Sequence, residues 1–205
     1  RAGLDLAAEL RELDDGAGVA EQARRVEEWH QGMPTDIAVA FGTEAKLALG
    51  LGLLDTGDEA GALASLREAI ERGRHAVRAD ARQHAAVACW HVHAVLLADR
   101  RIAEAGLALA TLEELVPGLG VEVRPAFVAL VAYMRGMTCL CEERYDEAHG
   151  QLARAEVAAR RLERTDPDLV RAAAAGLGNV ALECEEWGEA EEHFADLLRA
   201  AYERR

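Results

Sequence analysis

Arg144-Tyr145-Asp146-Glu147-Ala148-His149-Gly150-Gln151-Leu152-Ala153-Arg154-Ala155 is the stretch that decides the fold, because the chain carries it four times. Ala148, Leu152 and Ala155 stand at i, i+4 and i+7, one stripe of an α-helix. The same stripe reads Ala62, Leu66 and Ala69; Ala105, Leu109 and Leu112; and Ala190, Phe194 and Leu197, at offsets of 43, 43 and 42 residues. Twelve positions before each leading alanine stand Gly50, His93, Gly136 and Gly178. A period in this range marks stacked helical hairpins, since one hairpin cannot bury its own apolar face and needs a neighbour.

Working outward, the signals give ten helices in five hairpins. Helices over 2–14 and 17–31 are parted at Asp14-Asp15-Gly16, and Gly32-Met33-Pro34 ends the second. Helices over 35–55 and 58–77 are joined through Thr56-Gly57-Asp58, and 80–98 with 101–115 follow. Pro117-Gly118-Leu119-Gly120 is a loop, Pro125 suits the first turn of 125–142, and 145–164 comes next. Asp166-Pro167-Asp168 joins a capping residue, a helix-starting proline and an acid at the positive end of the dipole. The last pair is 167–185 and 188–203. Two short turns per 43 residues leave roughly 18–20 residues for each helix. No segment alternates as a half-buried strand would. The expected architecture is all-α: a right-handed superhelical stack of about five antiparallel hairpins. It forms one domain over 1–205, with a degenerate capping hairpin at 1–34 and repeats at 35–79, 80–123, 124–166 and 167–205.

Mid-helix glycine costs on the order of 1 kcal/mol relative to alanine. Its recurrence at Gly50, Gly136 and Gly178 implies a neighbouring helix too close for a Cβ. His93 breaks that rule and calls for wider spacing or a ring turned aside. Leu49-Gly50 with Ala62, Leu66 and Ala69, and Leu177-Gly178 with Ala190, Phe194 and Leu197, resemble the tetratricopeptide repeat. The family's usual period is ~34 residues, so the longer unit here is more similar to the extended repeats of kinesin light chains and large bacterial regulators. The resemblance covers about residues 37–203. HEAT-like repeats share the period but lack this placement of glycine and alanine.

Composition excludes more than it assigns. The 205 residues carry 37 acids against 23 bases, a net charge of −14, which repels phosphate backbones and argues against nucleic acid as a direct partner. Apolar residues make up 51%, with only three each of Trp, Tyr and Phe, so the core is thin and alanine-rich. No uninterrupted apolar run approaches the ~18 residues of a membrane span. The chain opens on Arg1 rather than Met, which points to a piece of a longer protein. The four cysteines, Cys89, Cys139, Cys141 and Cys184, fall in apolar helical stretches and show no disulfide framework, so a reduced, cytoplasmic setting is expected.

Catalytic motifs are missing. Ser65 is the only serine and stands in no nucleophile elbow. No phosphate-binding loop is present, and Gly50-Leu51-Gly52 fails the dinucleotide pattern at its third glycine. Cys89 and His93 share a helix face as a two-ligand metal candidate, short of the four donors of a structural site. The simpler reading packs Cys89 and hydrogen-bonds His93 between helices. Glu183, Glu185, Glu186, Glu189, Glu191 and Glu192 read as a solvated face. No cofactor or metal is expected, and the chain is not read as an enzyme.

In the tetratricopeptide family the first helix of each hairpin lines a concave groove for peptides or partner helices. Carried over from the glycine position, the resemblance implies a row of Leu47, Leu51 and Leu54; Trp90, Ala94 and Leu97; Tyr133, Met137 and Leu140; and Ala175, Asn179 and Leu182. Its binding core would be Leu47, Leu51, Trp90, Leu97, Tyr133, Met137, Leu140 and Asn179. The row is apolar, unlike the Lys, Arg and Asn that hold acidic peptide tails, so a protein segment or a small apolar effector is the expected ligand. Two alternatives stay open: the row is buried as core, or it joins two copies of the chain in a self-associating structural domain. The resemblance also implies a context, a sensory array in a bacterial signalling or transcription regulator covalently joined to an output domain.

Overall fold

The computed structural model describes residues 15–29, 35–162 and 167–202. Among them every regular element is helical: α1 (Gly16–Trp29), α2 (Thr35–Asp55), α3 (Glu59–Gly73), α4 (Ala79–Ala98), α5 (Ile102–Leu115), α6 (Arg124–Cys141), α7 (Tyr145–Arg160), α8 (Pro167–Glu183) and α9 (Trp187–Tyr202), with a 3₁₀ turn at Val116–Gly118. The expected helix over 2–14 lies outside the described residues, as does the capping Asp166. By contacts the chain divides into two compact units, one of Arg1–Asp99 with Ala110–Gly120, the other of Arg100–Leu109 with Val121–Arg205. The division passes through α5.

In the first unit α2 packs against α1, α3 and α4, and α3 packs against α4. In the second, α6, α7, α8 and α9 pack in sequence, with α6 also meeting α8. Within a unit, each helix therefore touches the next, and the first helices of consecutive hairpins touch each other. The expected 18–20 residues suit the first helices, with 21 in α2, 20 in α4, 18 in α6 and 17 in α8. They overshoot the second helices, which have 15 in α3, 14 in α5 and 16 in α7 and α9. The first of these ends short of residue 77 because Gly73 lies against the start of α4. A Cβ on it would stand 2.6 Å from the Ala81 carbonyl oxygen.

By length and composition α2 could cross a membrane, contrary to the expectation from uninterrupted runs. Half of its most apolar stretch is buried within the protein, and a helix with three neighbours needs apolar residues nearly all round. Its crossing with α1 is close enough for backbone contact. A Cβ on Gly52 would sit 2.7 Å from the Gly16 carbonyl oxygen.

The repeat glycines do what their recurrence implies. A Cβ on Gly50 would lie 2.6 Å from Leu66 Cγ, one on Gly136 2.6 Å from Leu152 Cγ, and one on Gly178 2.8 Å from Phe194 Cζ. Each glycine is a notch in the first helix that receives the large stripe residue of the second. Leu152 is held twice: a Cβ on Gly176 of α8 would lie 2.9 Å from its Cδ2. The leading alanines of the stripe, Ala62, Ala105, Ala148 and Ala190, are all buried, which lets the paired helices approach.

A second periodic feature sits in the turns. Gly57, Arg100, Glu143 and Glu185, again 43, 43 and 42 apart, all have positive φ, at 80°, 59°, 61° and 61°. After α2, α6 and α8 the chain stops in a Schellman motif. The amides of Asp58, Arg144 and Glu186 donate to the carbonyls of Leu53, Cys139 and Ala181, at 2.9, 2.9 and 2.8 Å. Asp58 then caps α3, its carboxylate accepting from the Gly61 amide at 3.0 Å.

Candidate functional site

In the first unit the candidate row splits by helix. Leu47 and Leu51 are buried and Leu54 is half-buried, because α2 has neighbours on three sides and little open face. On α4, Leu97 is also buried. Trp90, 38% exposed, and Ala94 one turn further on remain open to solvent. The Trp90 ring lies against His91, with centroids 4.9 Å apart and planes tilted by 34°. So Leu47, Leu51 and Leu97 serve as core, and Trp90 with Ala94 is the part of the row that this unit leaves open to solvent.

In the second unit Tyr133, Met137 and Leu140 are half-buried, packed against a cluster of Cys139, Ala148, Leu152, Leu177 and Val180. Burial raises the Tyr133 phenol above its ordinary pKa, so it stays neutral and can donate a hydrogen bond. On α8, Ala175 is half-buried, while Asn179 and Leu182, the latter 39% exposed, face solvent. The unit thus presents Asn179 and Leu182, with the edges of Tyr133, Met137 and Leu140 as its apolar floor.

The chemical candidates sit apart from these faces. Cys89 is buried in the helix core, and desolvation pushes its thiol up to about 12, far from the thiolate that nucleophilic or metal chemistry requires. His93 is 2% exposed, in the place that glycine holds in the neighbouring repeats. Among the described residues no group of three or more His, Cys, Asp or Glu side chains is placed to hold a metal. Cys139 is buried and Cys141 half-buried, whereas Cys184 lies exposed in the turn between α8 and α9 rather than in an apolar helix. A shallow open hollow of about 410 Å³ is lined by Ala153, Arg154, Val157 and Ala158 of α7 and by Arg161 just after it.

Sequence reasoning passed over one feature. On α9, Trp187 is 65% exposed and Leu198 61% exposed. They are eleven residues apart, about 20° around a helix, so with half-exposed Phe194 between them they form one stripe. The available signal was a leucine at 198, where the preceding repeat has Glu156.

No family model matches the chain, and no curated protein does either. Among solved structures it is similar to one described as "MamA RS-1 ArsTM double mutant", with a TM-score of 0.60 at 18% identity, over 99% of this chain and 94% of that one. At that identity the likeness speaks to fold: an all-α, tetratricopeptide-like arrangement of helices.

Proposed function

We propose that this chain is a non-catalytic protein-interaction module whose first helices take up a protein segment or a small apolar effector. The observation that carries the reading is Trp90. An indole left 38% exposed beside Ala94, on a helix whose Cys89, Val92, Leu96 and Leu97 are buried, offers a large apolar surface at low entropic cost to a ligand. Asn179 and Leu182 give the second unit a matching face, where the amide can orient a ligand that Met137 and Leu140 contact through apolar surface. We place the module in the cytoplasm, as the sensory part of a bacterial signalling or transcription regulator. Ligand binding there would bias a covalently joined output domain by favouring one of its states.

The test is titration of amphipathic helical peptides and small apolar ligands against the chain and its Trp90→Ala variant, with an Asn179→Ala, Leu182→Ala pair for the second unit. Loss of an anchoring indole should weaken binding about ten-fold or more. Binding that none of these variants changes would remove the first-helix faces from consideration. A concentration series by sedimentation separates this reading from self-association, in which Trp90→Ala would shift a monomer–dimer equilibrium instead.

A further inference from the structure

The last hairpin carries an apolar face that in the hairpin before it is covered. Tyr145 opens α7 and Trp187 opens α9, 42 positions apart at the same repeat place. Tyr145 is half-buried against the core of its unit. The end of α8 reaches it: local desolvation raises its phenol, and the Glu183 and Glu143 carboxylates raise it further. Trp187 has no such cover. Leu152 is fully buried between Gly136 and Gly176, while its counterpart Phe194 meets Gly178 on one side and stays half-exposed. Ala155 is fully buried; its counterpart Leu197 is not. Glu156, only 19% exposed and paired with Arg160 at 2.7 Å, is replaced by Leu198, 61% exposed. The apolar stripe that α7 buries is thus open to solvent on α9.

Charge decides what can cover it. Glu191, one turn after Trp187, stands on the stripe itself, exposed Glu183, Glu185 and Glu186 lie just before Trp187 in the chain, and the one nearby base on α9 with a described side chain, Arg199, pairs with Asp196 at 3.0 Å. A second copy placed symmetrically would set these carboxylates against one another, in a chain whose net charge is −14. We infer that the Trp187–Phe194–Leu198 face of α9 docks a basic amphipathic helix, its apolar stripe on the two aromatic rings and its Arg or Lys residues on the surrounding glutamates. The geometry around Leu152 adds a requirement. Gly176 is the residue of the covering helix that lets Leu152 in, so the docked helix needs Gly opposite the bulkier Phe194. This surface is distinct from the first-helix faces proposed above and stands or falls separately.

The experiment uses two synthetic peptides with the same Leu/Ala stripe broken by one central Gly, flanked in one by Arg and in the other by Glu. Each is titrated by fluorescence anisotropy into the full chain. The Arg peptide should bind at least about ten-fold more tightly, and its advantage should shrink as salt screens the glutamates. Trp187→Ala with Leu198→Ser should weaken it about ten-fold or more, while Val77→Ser, at an exposed apolar residue of neither proposed face, should leave it unchanged. Both replaced side chains are mostly exposed, so the fold is retained. As a second variant, Glu186→Arg with Glu191→Arg should reverse the preference between the peptides. Equal binding of the two peptides, or binding indifferent to Trp187, overturns the inference. So does a self-association in sedimentation that Trp187→Ala abolishes, which would make a second copy the occupant.

Discussion

Leu152 is where the packing logic can be tested most sharply. Its side chain is fully buried, between Gly136 of α6 on one side and Gly176 of α8 on the other. Leu152→Ala removes about three buried carbons, worth ~2 kcal/mol by transfer alone, and leaves a cavity in front of two notched helices that cannot close readily. Buried Leu→Ala changes cost about 2.7–5 kcal/mol with the cavity included, and a site enclosed by three helices belongs in the upper half, near ~4 kcal/mol. Gly136→Ala alone should gain up to ~1 kcal/mol of helix propensity but force Leu152 out of its well, since the new Cβ would stand 2.6 Å from its Cγ. We expect a net loss of about 1–3 kcal/mol, the usual cost of overpacking. In the double variant the new methyl fills part of the vacated space, so the two losses should not add. The coupling should be at least ~1 kcal/mol in the compensating direction. Urea unfolding followed by circular dichroism and by tryptophan emission supplies the numbers, provided the two probes coincide. Losses that add within ~0.5 kcal/mol would refute the idea that glycine and leucine are fitted to each other.

Other expectations follow from single features. Glu143→Gly and Glu185→Gly should each stabilise by about 0.5–1 kcal/mol, because relief of a left-handed backbone, ~1–2 kcal/mol, exceeds the added unfolded-state entropy of glycine; unchanged melting would refute this. Gly57→Ala should lose ~1–2 kcal/mol at the equivalent turn. Burial raises the Glu68 carboxyl, but hydrogen bonds from Lys46, at 2.9 Å, and from Arg72 outweigh it, and the pKa lies below the ordinary carboxylate range. The charged pair therefore stabilises above the unfolded pKa of ~4.3 and is lost as pH falls through the lower folded value. Lys46→Met should flatten that acid limb while changing neutral stability by less than ~1 kcal/mol, as read from urea midpoints across pH. With a thiol reagent, exposed Cys184 should react first and Cys89 last, although local desolvation and then the carboxylates of Glu186, Asp146 and Glu183 raise the Cys184 thiol and slow it; early loss of Cys89 in mass spectrometry would contradict its burial.

The period, the helix order and the glycine notches were legible because they are local patterns with one physical reading. An alanine stripe at i, i+4 and i+7 can only be a helix face, and a glycine repeated mid-helix can only mean close approach. The candidate row was legible in part. Leu47 and Trp90 hold the same repeat position, yet one is core and the other open, because the number of neighbours around α2 and α4 is a tertiary fact that no single helix encodes. The helix expected over 58–77 was overread because Gly73 looked like one more helical residue until Ala81 was placed against it. Trp187 was missed for a related reason. Within its own stripe it is an ordinary apolar residue, and only the absence of cover in space makes it a candidate.

The two periodic features also differ in what they permit, and the difference ranks the forces that set the period. At the notch position three of four repeats keep glycine at a propensity cost. At the turn position only Gly57 is glycine, while Arg100, Glu143 and Glu185 accept a left-handed conformation that glycine would adopt freely. If the turn dictated the hairpin, its residue would be chosen for the turn and the helices would adjust. The reverse holds: helix contact fixes where the chain must reverse, and the turn residue bears the strain. An insertion of one residue in a turn should therefore be absorbed locally, whereas one placed between Gly136 and Cys139 would rotate the rest of α6 by about 100° and turn buried Cys139 away from its core cluster. Comparing the melting of the two insertions checks the ranking, and a turn insertion as damaging as the helical one would invert it.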